Sequence, residues 1–202
     1  MSNVKNKYSE VFNAYSIGST KVYKKLKEAT KEEREITKEM ILGGNKLIRV
    51  PNEVQTFKNI EELILNENKL TNLPSFLGKL ENLTYLDVSY NKFEKIPANI
   101  GKLKKLENLE LDNNQIEILP ETIDELTTLK RLSISNNKIK EISPNIGELK
   151  KLEYLNIGHN EIESLPETLG NLENLKQLGL SNNRFKELPD FIGGLRNLEG
   201  ID

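Results

Sequence analysis

Few side chains in this 202-residue chain could carry covalent chemistry: it has no cysteine and one histidine, His159. A lone imidazole supports no Ser/His/Asp or Cys/His triad here, because its position is a variable one. Elsewhere in the pattern set out below, that position holds Glu67, Tyr90, Asn113, Asn136 and Asn182. Asp112-Asn113-Asn114 lacks the glycine and terminal glutamate of a calcium loop. Neither Gly18-Ser19-Thr20-Lys21 nor Gly43-Gly44-Asn45-Lys46 satisfies the GxxxxGK[ST] phosphate cradle. The expectation is a non-enzymatic chain without metal or cofactor. The remaining candidates are polar and aromatic residues suited to binding a protein surface: Glu62, Tyr85, Asp87, Asn108, Glu110, Asp112, Arg131, Ser133, Tyr154, Asn156, His159 and Gln177.

Composition narrows the partner. Lys and Arg number 29 against 31 Asp and Glu, a net charge of −2, so bulk charge gives no reason to expect nucleic acid. No apolar run approaches the roughly 18 residues of a membrane span, and membrane insertion is not expected. The first 18 residues lack the apolar stretch of about 7–15 that a secretory signal needs, so the reading is cytoplasmic.

These candidates are placed by a repeat. Asn45, Asn68, Asn91, Asn114, Asn137, Asn160 and Asn183 recur every 23 residues without a slip. Apolar residues precede each by three and five positions, as Leu111 and Leu109 precede Asn114, and another follows by two, as Ile116 does. The unit reads LxxLxLxxNxL followed by xxLPxxIGxLxx. LxL alternates with strand period, sending its apolar side chains to one face and the residues between them to the other. Stacked units then pair into a parallel sheet. Each asparagine lies between core positions, and a buried amide must be satisfied. Bonds to the backbone of its own and the adjacent turn would make a ladder closing the bend after each strand.

The second half of the unit returns the chain across the opposite side. Leu-Pro at 73–74, 119–120, 165–166 and 188–189 suits the start of a short helical turn, since proline fixes φ near −65°. Pairs such as Ile100/Leu103 and Ile146/Leu149 share one side of such a turn. In one unit Ser143 takes the proline slot and Pro144 follows, which predicts a local shift of that turn.

At these residues the chain resembles the leucine-rich repeat family. Its 23-residue unit with LPxxIGxLxxL is similar to the intracellular Ras-group-related class, over residues 37–202. The resemblance implies an α/β fold: a curved right-handed solenoid with a parallel β-sheet on its concave face, short helical or 3-10 turns on its convex face, and protein binding on the concave side.

Residues 1–36 do not fit the repeat. Val4, Tyr8, Val11, Phe12 and Tyr15 follow one stripe of a helix, and Val22, Leu26 and Ala29 a second. Thr30 to Glu33 matches a capping box. The expectation is an N-terminal helical cap over 1–36, then a solenoid over 37–202 with seven repeats and the start of an eighth. The sequence stops inside a strand motif with no capping segment, leaving Leu188, Ile192, Leu195, Leu198 and Ile201 partly uncovered in expectation. End-to-end self-association is one reading of that edge. A recognition segment of a larger enzyme or effector is another.

The sheet positions facing away from the core form the candidate surface. One column runs Glu39, Glu62, Tyr85, Asn108, Arg131, Tyr154, Gln177; the next runs Ile41, Ile64, Asp87, Glu110, Ser133, Asn156, Gly179. Core columns are monotonous while these vary. The first half is acidic, and Tyr85, Arg131 and Tyr154 are residue types that anchor interfaces.

Overall fold

The computed structural model describes residues 10–202. Among the described residues, nine short strands form one parallel sheet in chain order. They are β1 (Val11–Asn13), β2 (Glu39–Ile41), β3 (Glu62–Ile64), β4 (Tyr85–Asp87), β5 (Asn108–Glu110), β6 (Arg131–Ser133), β7 (Tyr154–Asn156), β8 (Gln177–Gly179) and β9 (Gly200–Ile201). From β2 to β8 each residue pairs with the one 23 positions on, as Tyr85 with Asn108. The middle residue of each strand points into the core: Leu63, Leu86, Leu109, Leu132 and Leu155 are fully buried.

The return half of each unit is a five-residue 3-10 turn on the convex side, as at Ala98–Lys102, Glu121–Glu125 and Glu167–Asn171. The preceding proline sits in the cap position with extended backbone. The shift expected at Ser143 does not occur. That turn spans Pro144–Glu148, in phase with its neighbours. Ser143 takes the cap position, its hydroxyl accepting from the Asn145 N–H at 3.2 Å, while Pro144 fills the first helical position where a missing N–H costs nothing. Side chains on this face also reach back to the previous turn, as Thr122 Oγ1 does to the Ala98 carbonyl (2.9 Å) and Asn174 Nδ2 to that of Lys150 (2.7 Å).

Among the described residues up to position 36 there are two helices, α1 (Ser19–Glu28) and α2 (Lys31–Ile36). Val22 and Leu26 of α1 are buried in the core. The capping box is present: Glu33 N–H donates to Thr30 Oγ1 (3.1 Å) and Thr30 N–H to Glu33 Oε2 (2.7 Å). The first helical stripe needs correction. Val4 and Tyr8 lie outside the described residues, and Val11–Asn13 is a strand. Phe12 and Ala14 are buried with strand alternation, and Phe12 packs edge-to-face on Phe57, centroids 5.4 Å apart. β1 pairs Val11 with Glu39, a spacing of 39 − 11 = 28 rather than 23. The longer connection admits α1 and α2 where later units carry one 3-10 turn. The sheet thus gains a strand that the repeat count omits.

At the other end, Leu188 and Ile201 are 53% and 46% exposed, and Ile192 and Leu198 are partly buried. Leu195 departs from expectation: it is buried, as a member of the continuous apolar core.

Candidate interaction face

The bend after each strand sets how the face is presented. Each bend places a residue in the left-handed region: Glu67, Tyr90, Asn113, Asn136, His159 and Asn182 all have φ of 53–55°, and the bend after β2 has two, Gly44 at 68° and Lys46 at 60°. That conformation disfavours L-residues, so the surroundings must hold it. The residue's own N–H is bound to the next unit, as His159 N–H to the Ser181 carbonyl (2.7 Å). The asparagine that follows does the rest. In Asn114, Nδ2 donates to the carbonyls of Leu111 (3.0 Å), Asp112 (3.2 Å) and, one unit back, Val88 (3.1 Å). Its Oδ1 accepts from Phe93 N–H at 3.1 Å. The same set recurs at Asn68, Asn91, Asn137, Asn160 and Asn183. Asn45 extends it to the cap, donating to the Ala14 carbonyl and accepting from Gly18 N–H. Asn45, Asn68, Asn91 and Asn160 are buried, whereas Asn114, Asn137 and Asn183 are half-buried.

The candidate residues divide into three groups. Asp87 and Ser133 are withdrawn from the surface, 8% and 1% exposed. Asp87 Oδ1 accepts from Ser89 N–H (2.9 Å) and Oγ (2.6 Å), so it secures its own bend. Ser133 Oγ donates to Asp112 at 2.8 Å, and Ser135 N–H donates to the same carboxylate at 2.6 Å. Asn156 similarly accepts from Gly158 N–H (3.0 Å). Alternation alone does not reveal that Asp87 and Ser133, at outward-facing positions, are buried. His159 is exposed but stands on the bend, its ring 3.1 Å from Asn182 Nδ2.

The middle of the face is prearranged. Arg131 Nε donates to Glu110 Oε1 at 2.6 Å, and its guanidinium lies 3.5 Å from the Tyr154 ring centroid. Tyr85, Asn108, Glu110, Asp112, Arg131 and Tyr154 are half-buried, flanked by exposed Glu62 and Gln177. The Glu110–Arg131–Tyr154 chain joins residues on adjacent strands: the repeat makes positions 21 and 23 apart neighbours, and only the stacked coils show that these three bond to one another.

This crowding shifts the ionisable groups. Burial, then the negative charges of Asp87 and Glu110, pushes the Tyr85 phenol up to about 12. Burial raises the Glu110 carboxyl despite its bond to Arg131, and raises that of Asp112 despite those from Ser133 and Ser135. Burial lowers Arg131, but its hydrogen bond to Glu110, the Glu110 charge and the contacts with Tyr154 together outweigh this and the net shift is upward. A phenol held above its unfolded value of 10.0 contributes stability below that pH, which is lost as pH rises toward 12. The Tyr85→Phe variant should therefore lose less stability between pH 9.5 and 11.5 than the parent, as read from urea unfolding midpoints. Equal losses would remove this assignment.

Among the described residues, no group of three or more Asp, Glu and His side chains is placed to hold a metal ion, and no helix is long and apolar enough to cross a membrane.

Two family models match the chain: leucine rich repeat over residues 127–185 and leucine-rich repeat region over residues 54–145. A search of the curated proteins finds no match. Among solved structures, the chain is similar to an LRR protein of Leptospira interrogans, with 28% identity over 93% of this chain and 52% of that one, TM-score 0.72. It is similar to an internalin from Listeria monocytogenes, with 27% identity over 85% of this chain and 48% of that one, TM-score 0.75. A plant peptide hormone receptor, RGFR1 in complex with RGF2, shares 31% identity over 83% of this chain and 28% of that one, TM-score 0.73. The chain thus spans about half the length of the two bacterial structures and under a third of the receptor. With the parallel sheet, the 3-10 returns and the asparagine ladder, these matches place the chain in the leucine-rich repeat family.

Proposed function

We propose that this protein is a non-enzymatic interaction module that docks a partner protein on its concave face, centred on Tyr85, Arg131 and Tyr154. The observation that carries the reading is the Glu110–Arg131–Tyr154 arrangement. It holds an arginine and an aromatic ring, two residue types that dominate interface energetics, in fixed positions on an open sheet. Side chains already ordered lose less conformational entropy on binding. The resemblance to a receptor solved with its peptide hormone supports a protein or peptide ligand.

A photo-crosslinking amino acid at Asn108 tests this against one at Lys102 on the convex turn. Asn108 should yield a discrete protein adduct that Lys102 does not, and the adduct should disappear in a Tyr85→Ala/Arg131→Ala background that keeps its circular dichroism. Adducts from Lys102 alone, or none from Asn108, would reject the concave site.

A further inference from the structure

The concave face already holds one cation as a partner's would be held. Arg131 is clasped between a carboxylate on the preceding strand and an aromatic ring on the following one. A second aromatic with carboxylate neighbours lies farther along the same column, with no cation of its own. Tyr85 is half-buried beside Glu62 on β3, Asp87 on its own strand and Glu110 on β5. Among the described residues, Arg131 is the only cation in the sheet columns from β3 to β7, and it is bound to Glu110. Glu62 and Asp87 have no ion-pair partner among the described residues.

A separate feature marks the same place. The column at the start of each strand alternates in sign: Glu10, Lys38, Glu61, Thr84, Glu107, Lys130, Glu153, Lys176, Glu199. Its neighbours pair at 3.7 Å (Lys38–Glu61), 2.8 Å (Lys130–Glu107) and 2.6 Å (Lys176–Glu153). The single break is Thr84, where the alternation calls for a cation and Glu61 and Glu107 flank a neutral side chain. Thr84 directly precedes Tyr85. Both columns are thus short of one positive charge at β4.

We propose that Tyr85 and Glu62, backed by Asp87 and Glu110, form a seat for a cationic side chain, an arginine or lysine presented by the docking partner. This rests on the concave-face reading above and names the chemistry the partner brings. The ring offers its negative face to the cation, as Tyr154 does to Arg131. The carboxylates steer the approach, so association slows as salt is added. Burial is the first cause of the upward shift of the Tyr85 phenol, and the charges of Asp87, Glu110 and Glu62 add to it while Arg131 offsets part of theirs.

The probe is a fluorescent, acetylated and amidated octapeptide alternating Arg and Ser, with a Gln/Ser octapeptide as neutral control, read by anisotropy at low ionic strength. The parent protein should bind the Arg peptide and not the Gln peptide. Tyr85→Leu and Glu62→Gln should each weaken binding about fivefold or more. Glu121→Gln, the same charge change on a convex turn, should leave it unchanged. No binding of the Arg peptide, equal binding of the Gln peptide, or equal weakening by Glu121→Gln would overturn the seat. The cross-link from Asn108 reads docking itself. A partner captured there whose affinity ignores Glu62→Gln and Tyr85→Leu would remove the seat and leave the docking face standing.

Discussion

Asn114→Leu should lower the unfolding free energy by about 3–4 kcal/mol, since four backbone groups lose their partner at once. The carbonyls of Val88, Leu111 and Asp112 and the Phe93 N–H all bond this amide. Each buried group left unpaired costs about 1–3 kcal/mol, and water can reach some of them because Asn114 is only half-buried. Two of the four belong to the preceding unit, so the damage falls on the seam between coils, where a solenoid draws its cohesion. Asn108→Ala, on the same unit but outside the ladder, should change stability by no more than about 0.5 kcal/mol. Urea unfolding followed by circular dichroism compares them. A loss at Asn114 no larger than that at Asn108 would mean the amides do not hold the coils together.

Gly147→Ala should cost about 2–3 kcal/mol, although it adds one methyl group on a convex turn. A Cβ on Gly147 would overlap the Thr168 carbonyl oxygen and lie 2.9 Å from both its carbonyl carbon and its Cβ. The obstacle is the backbone of the next turn, Glu167–Asn171, which cannot rotate aside as a side-chain tip would. Gly193 occupies the same column two units later, and a Cβ there meets nothing within 4 Å. Gly193→Ala should be neutral or slightly stabilising, by up to about 0.5 kcal/mol, through a less flexible unfolded chain. Thermal unfolding of the pair separates the two cases. A Gly147→Ala protein as stable as Gly193→Ala would show that the turns can part without loss.

The two glycines show where reading residues in order stops being sufficient. In sequence they are equivalent members of a column that also holds Gly78, Gly101 and Gly170 and, in two units, Gln55 and Asp124. Asp124 makes the point: its carboxylate accepts from Asn145 Nδ2 at 3.1 Å, so a side chain is admitted between one pair of turns. Gly101 would press on Thr122 O at 2.7 Å. Clearance depends on how two turns seat, and no single unit contains that information.

The site divides in the same way. The columns that hold Glu62, Tyr85, Glu110, Arg131 and Tyr154 were legible because strand alternation and a constant period leave one solution for which residues share a face. That Asp87 and Ser133 would be spent on the bends was not, since both stand in outward-facing positions by count. The strand at Val11–Asn13 was hidden for another reason. Its 28-residue spacing from β2 breaks the period, and Val11 and Phe12, compatible with a helical stripe by count, pair with the sheet once a neighbouring edge is available.

By itself the sequence determined the repeat, the side each residue faces and the partner set of the asparagines, because those follow from local periodicity and the need to satisfy buried amides. Tertiary structure alone decided that the cap contributes the first strand, which glycines are pressed by a neighbour, and that Arg131 is clasped by Glu110 and Tyr154. Each of those depends on distances between units, which arise only when the coils stack.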